Sequence, residues 1–259
     1  MPWDPQRYEV FADARLRPLL DLLARVPGPD AGWAPRRIAD LGCGSGNGTR
    51  LLAQRWPEAS VVGIDASTEM LETARIRGGS IVWQQAELGA WRPQSPFDLL
   101  FSNAALHWLD DHAGLFPRLL KMLAPLGMLA VQMPRNFDAA SHRMALELAR
   151  EPPYREYLLA SLRLRPVLAP REYYELVAPH GVFVDIWETE YLQVLTGDNP
   201  VADWTRSTLL VPLLDGLPGS LREPFEAEYR RRVSAAYGKR RDGSTLYPFR
   251  RLFMTVRVC

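Results

Sequence analysis

The sequence predicts an α/β fold: an open, mostly parallel sheet with helices on both faces and a helical insertion late in the chain. Three observations predict it. Short apolar runs alternate with helical patterns from Arg37 to Met133, which is the mark of successive β-α-β units. One of those runs leads straight into glycines at every second position, Gly42, Gly44 and Gly46. Beyond Pro134 the alternation stops, and Pro, Arg and Tyr become frequent before strand patterns return.

The elements follow in order. Residues 5–25 read as one or two helices, with Pro18 suited to a first helical position. Residues 28–32 form a Gly/Pro loop, and 37–41 is the first core strand. A helix over 46–56 turns Leu51, Leu52 and Trp56 inward. Residues 60–65 make the second strand; Ser67 caps a helix over 68–77 with Glu69 in its first turn. Strands follow at 81–85 and 97–102, then a helix over 110–122 and a fifth strand at 128–133. Helical patches cover 142–150 and 171–178, and 182–187 reads as a strand. Residues 200–237 are mostly helical, because Leu221, Phe225, Tyr229, Val233 and Tyr237 recur at every fourth position. Residues 251–258 close the chain as a last strand. The resulting division is a helical cap over 1–30, a ligand-binding core over 31–135, and 136–259 as a helical substrate insert plus closing strands.

Composition narrows the function classes. The chain has 259 residues, enough for one domain with decorations or a domain with a small lid. Its net charge is +1, so nothing favours nucleic acid or a membrane surface. No basic and apolar leader opens the sequence, and the apolar stretch over 119–133 is broken by Lys121 and Pro125. Two cysteines, Cys43 and Cys259, make neither a disulfide framework nor a metal site, and the four histidines show no metal-binding spacing. A cytoplasmic protein, metal-free, monomeric or weakly dimeric, is expected.

The glycine run carries the chemistry. Glycine there allows positive φ and close approach of a ligand to bare backbone. A dinucleotide fingerprint needs glycine or alanine three residues after its second glycine. That position is Asn47 in one frame and Thr49 in the other, so a pyrophosphate clamp is disfavoured. What remains, Asp40 followed by Gly42, Gly44 and Gly46, resembles motif I of the class I S-adenosylmethionine-dependent methyltransferases, whose fold is a Rossmann-like, seven-stranded, mostly parallel sheet. Asp65, nineteen residues after Gly46, sits where an acid can accept from both ribose hydroxyls, a logic shared with nicotinamide enzymes. The resemblance implies that Glu87 takes the adenine amino group, that the Leu88 amide takes a ring nitrogen, and that Met70 packs beside the nucleoside, with Ala66 next to Asp65. Asn103, after the fourth strand, then falls near the methyl donor, and His107-Trp108 falls where an acceptor rests.

Further stretches resemble the trans-aconitate 2-methyltransferase family. They include Trp3-Asp4-Pro5 with Tyr8 and Arg15, Ser102 to Leu109, Leu129 to Pro134 with Asn136, Ser141-His142, Tyr173-Tyr174, Val184 to Trp187, and Arg250-Arg251-Leu252-Phe253. The resemblance implies methyl transfer to a carboxylate of a small tricarboxylic acid. A carboxylate is already ionised at neutral pH and needs no base. Its non-reacting ends need cations, which arginine supplies best. Arg251 is the leading anchor and His107 the candidate base if the acceptor were a hydroxyl. Arg15, Arg250, Tyr8, Trp108, Gln132, Asn136, His142, Tyr173, Tyr174 and Tyr191 complete the candidate acceptor set. Arg135, Val211, Leu192 and Gln193 depart from the pattern of some family members, so another small carboxylic acid or a natural product stands as the alternative acceptor.

Overall fold

The computed structural model describes residues 12–76, 79–159 and 167–259, with 12–15 as backbone only. It contains α1 (Ala12–Arg25), β1 (Arg37–Leu41), α2 (Asn47–Arg55), β2 (Ser60–Asp65), α3 (Thr68–Ile76), β3 (Val82–Gln85) and β4 (Phe97–Asn103). After a 3-10 turn at Leu106–Trp108 come α4 (His112–Leu120), β5 (Leu123–Pro134), α5 (Ala140–Ala149), α6 (Arg155–Leu158), α7 (Pro170–Val177) and β6 (Gly181–Leu195). The chain ends with α8 (Pro200–Arg206), α9 (Leu210–Asp215), α10 (Gly219–Ala236) and β7 (Thr245–Val258).

The seven strands form one sheet in the order β3-β2-β1-β4-β5-β7-β6. The β1, β2, β3, β4 and β5 pairings are parallel, and β7 runs antiparallel to β5. The central strands are apolar throughout because helices cover both their faces: Ile38, Ala39 and Leu41 of β1 and Leu99, Leu100 and Phe101 of β4 have no exposed surface. The strand order reverses between β1 and β4, and the carboxyl ends at such a reversal are where open α/β sheets bind ligands.

The chain divides into two compact units. One comprises Leu16–Pro134, Val167–Thr189 and Arg251–Cys259; the other is built on Arg135–Pro166 and Glu190–Arg250. Most of α1, from Leu16 to Arg25, therefore lies in the sheet-bearing unit. The Arg55 guanidinium fixes it there, donating at 2.7 Å to the Leu23 carbonyl and at 2.8 Å to the Val26 carbonyl at the end of α1. Arg25 adds an ion pair to Asp185 of β6 and lies over the Trp187 ring. The second unit has its own apolar core, in which Trp204, Leu210, Leu213, Phe225, Tyr229, Val233 and Tyr247 are buried.

Several expectations shift. Pro18 lies inside α1, not at its start. The 200–237 span breaks into three helices, with Gly216 and Pro218 separating the second from the third. The every-fourth-residue face of α10 is real: Phe225, Tyr229 and Val233 are fully buried. Strand β6 runs to Leu195, well past residue 187. Its later half alternates in burial, but apolar Leu192 and Val194 occupy exposed positions, so polarity does not record the period. Among the described residues, no helix is long and apolar enough to cross a membrane.

Candidate active site

The glycine turn after β1 is held by its own backbone. The Gly42 and Cys43 amides both donate to the Ile64 carbonyl, at 2.8 and 2.9 Å. The Gly44 amide donates to Asp65 Oδ2 at 2.8 Å, and the Gly46 amide to the Cys43 carbonyl at 2.9 Å. Gly42 has φ +74°, and a Cβ there would lie 2.1 Å from the Ala105 Cβ, so only glycine fits. Gly44 also has positive φ, but a Cβ would meet nothing within 4 Å. Its bare backbone faces open space, as a ligand cradle requires.

Asp40 closes this turn from below. Thr49 Oγ1 donates to Asp40 Oδ2 at 2.6 Å, and both residues are buried. Burial raises the Asp40 carboxyl to about 7; the Thr49 hydrogen bond opposes that rise and the Asp65 charge adds to it. Asp65 ties the neighbouring strand in: its Oδ1 accepts from the Ser67 amide at 2.9 Å while its Oδ2 holds Gly44. Ser67 caps α3 as the sequence predicts, accepting from the Met70 amide.

Glu87 is exposed and Leu88 buried, at a turn where the Ala90 and Trp91 amides donate to the Glu87 carbonyl. The sequence reading missed what supports this turn. Arg118 of α4 donates to the Leu88 carbonyl and the Trp91 carbonyl, both at 3.1 Å. No motif announces such an arginine; only the packing of α4 against the turn reveals it.

The ends of β4, β5 and β7 carry a different kind of chemistry. Asn103 stands opposite Gln132, Gln132 opposite Phe253, and Pro134 opposite Arg251. Paired residues share a face, so Asn103, Gln132 and Arg251 stand on one side of the sheet. Arg251 is 6% exposed and donates from Nη1 to Gln132 Oε1 at 3.3 Å. Gln132 is fully buried, and its Nε2 has no protein partner. Asn103 Oδ1 and His107 Nδ1 are likewise buried and unpartnered. Burial of such atoms costs free energy unless something bonds them, which makes them candidates to meet a polar ligand.

Burial works against His107 serving as a base. Burial lowers its pKa to about 3, and the nearby charges of Arg251 and His112 push the same way. It is a neutral imidazole at physiological pH, its ring centre 4.8 Å from that of Trp108 and tilted 40° to it; Trp108 is 59% exposed. Arg250, a candidate acceptor residue, does not share the face of Arg251. Successive strand residues point to opposite faces, and Arg250 is exposed while Arg251 is buried.

Tyr173 is corrected as an open donor. It is fully buried, and its hydroxyl lies 2.6 Å from His112 Nδ1 and 3.3 Å from the Leu168 amide. Tyr174 beside it is half exposed. Asn136, His142 and Tyr191 belong to the other unit. Both ends of the Asn136 amide are engaged there: Nδ2 donates to the Tyr247 hydroxyl and Oδ1 accepts from the Arg250 amide, each at 3.2 Å. Its role in that unit is a cross-link, since the strand it meets needed a partner for that amide. His142 sits 3.3 Å from Ser141 Oγ, and burial lowers its pKa to about 4. Tyr191 is 2% exposed. Tyr8 and the Arg15 side chain lie outside the described residues.

Residues 38–127 match a family model described as a methyltransferase domain. Beyond it, the chain is 46% identical over 252 residues to a trans-aconitate 2-methyltransferase of Azoarcus sp., covering 97% of each chain. It is 44% identical to one from Acidovorax sp., covering 98% of each. This chain belongs to the trans-aconitate 2-methyltransferase family. The match spans both units, so the helical unit is as much a family feature as the sheet. Among solved structures, a Haemonchus contortus phosphoethanolamine N-methyltransferase, in complex with phosphomonomethylethanolamine and S-adenosylhomocysteine, superposes with TM-score 0.55. It shares 17% identity, covering 94% of this chain and 53% of that one, and it supports the fold alone.

Proposed function

We propose that the protein transfers the methyl group of S-adenosylmethionine to one carboxylate of trans-aconitate, forming a monomethyl ester. The observation that carries this reading is the buried Arg251–Gln132 pair on the face shared with Asn103. A cation with an adjacent unpartnered amide donor suits an anion that brings several oxygens.

The glycine turn fits the cofactor. Open space beside Gly44 and the unpartnered Asn103 Oδ1 leave room and an acceptor for it. In this assignment Asp40, Gly42, Gly44 and Gly46 shape the cradle, Asp65 and Ala66 face the ribose, and Met70, Glu87 and Leu88 hold the base. When bound, S-adenosylmethionine supplies a methyl on a positive sulfur. An acceptor oxygen bonds that carbon as the C–S bond breaks, and the electron pair returns to sulfur. Carboxylate and sulfonium charges cancel, and no proton moves.

The protein's residues therefore position and desolvate rather than relay protons. Holding both reactants in line can contribute on the order of 7–11 kcal/mol. Arg251 suits a non-reacting carboxylate, because a cation on the reacting one would withdraw its nucleophilicity. Gln132 orients that guanidinium and offers its Nε2. A neutral His107 donates or accepts one hydrogen bond without competing for charge. A hydroxyl acceptor would need a base, and an imidazole with a pKa of about 3 is a poor one.

The test is turnover. Incubation with S-adenosylmethionine and trans-aconitate, cis-aconitate, citrate or itaconate should give methyl ester and S-adenosylhomocysteine, fastest with trans-aconitate. Binding of S-adenosylhomocysteine with no ester from any acid would end the carboxylate assignment.

A further inference from the structure

His112 belongs to none of the site residues that the sequence singles out, yet its ring joins α4 to the Leu106 turn and to α7. Its Nε2 lies 3.0 Å from the Leu106 carbonyl, and its Nδ1 lies 2.6 Å from the Tyr173 hydroxyl. A carbonyl only accepts, so Nε2 carries the proton. Burial lowers the pKa of His112, which keeps the ring neutral. Nδ1 is then the acceptor, and Tyr173 donates to it. The Leu168 amide donates in turn to the Tyr173 oxygen at 3.3 Å. One direction of hydrogen bonding thus runs from Leu168 through Tyr173 and His112 to Leu106.

Leu106 opens the 3-10 turn that carries His107 and Trp108. The Tyr173 hydroxyl also lies 4.0 Å from Met133 Sδ, and Met133 follows Gln132 and pairs with Leu252, next to Arg251. Phe116 packs on both partners, 4.9 Å from the Tyr173 ring and 5.4 Å from the His112 ring.

We infer that the His112–Tyr173 pair is a positioning brace for the acceptor side of the site, setting the His107–Trp108 turn against the strand that carries Gln132. This rests on the methyl-transfer reading above. Tyr173 acts through His112 and Leu106, and neither partner touches the reacting atoms.

The experiment compares the parent with Tyr173→Phe, His112→Gln and His112→Ala. His112→Gln keeps a donor for the Leu106 carbonyl; His112→Ala keeps nothing. We expect KM for trans-aconitate to rise about tenfold in Tyr173→Phe and His112→Ala, with partial recovery in His112→Gln. Affinity for S-adenosylhomocysteine should stay within about twofold of the parent. Hydrogen exchange should speed up at the Trp108 and Leu109 amides, which now bond the Ala105 and Leu106 carbonyls at 3.1 and 3.0 Å. Unchanged KM and exchange in all three variants would overturn the brace. So would equal loss of acid and S-adenosylhomocysteine binding, which would reveal a general folding defect. A parent that makes no ester would instead sink the methyl-transfer reading, and the exchange measurement would still judge the brace.

Discussion

The turn after β1 and the junction of β4, β5 and β7 sit on the same sheet, and they are finished to different degrees. In the first, the turn amides meet carbonyls or the Asp65 carboxylate, and Asp40 has Thr49. In the second, Asn103 Oδ1, His107 Nδ1 and Gln132 Nε2 are buried and open. A turn that receives a constant cofactor can be closed on itself, leaving bare backbone to be read. A place that receives a small anion has to keep unsatisfied groups in reserve, at a cost in stability. Under the proposed assignment, rigidity and incompleteness are divided between the two ends of one reaction.

The comparison breaks most visibly at Gly42. Gly42→Ala forces a residue with Cβ into φ +74° and onto the Ala105 Cβ 2.1 Å away. Left-handed strain of about 1–2 kcal/mol adds to overpacking of about 1–3 kcal/mol. Calorimetry should find S-adenosylhomocysteine affinity down by about a hundredfold or more. Parent-like affinity would mean that the turn is not the cradle.

At the open end, Arg251→Ala should lower kcat/KM for trans-aconitate by about ten- to a hundredfold, the worth of one charge-assisted hydrogen bond of about 1.5–3 kcal/mol. Its S-adenosylhomocysteine affinity should be that of the parent. A shared loss would erase the distinction between the two ends.

Asp40 sharpens the closed end through pH. Its folded pKa of about 7 exceeds that of an unfolded aspartate, near 3.9. The folded state therefore binds more protons between about pH 4 and pH 7, and this group's contribution to stability falls as pH rises through that window. The effect has an upper bound on the order of 4 kcal/mol. Thermal unfolding of Asp40→Asn should show a flatter pH dependence than the parent over the same range. An identical slope would place the proton elsewhere.

The smallest effect belongs to His107. His107→Gln, which preserves a neutral donor and acceptor, should retain kcat within about tenfold. The parent should show no inflection from this group between pH 5 and 9. A neutral-pH inflection that disappears in the variant would restore His107 as a base.

Much of this was legible in the chain, for a reason the two ends make plain. The Ser67 cap acts within three residues, and the Gly42, Asp40 and Asp65 positions stand out because each falls at the end of an apolar strand pattern, which spacing records even though their hydrogen bonds to Ile64, Thr49 and Gly44 reach further. The face shared by Gln132 and Arg251 was legible in part, since both residues fall in strand patterns. Their contact spans 119 residues and depends on β7 running antiparallel to β5, which no local pattern states. The Arg118 prop and the His112–Tyr173 hydrogen bond escaped notice because each joins segments distant in sequence. Tyr173 and Asn136 were visible as polar residues, but a residue type does not say whether its hydrogen bonds are already spent inside the fold.

The two thiols have unequal fates. Cys43 is sealed within the glycine turn, and burial pushes its pKa up, whereas Cys259 is exposed at the last position. Electrophilic reagents that capture thiolates should find only the latter. Of these two thiols, Cys259 is thus the attachment point for a dye or a surface linker.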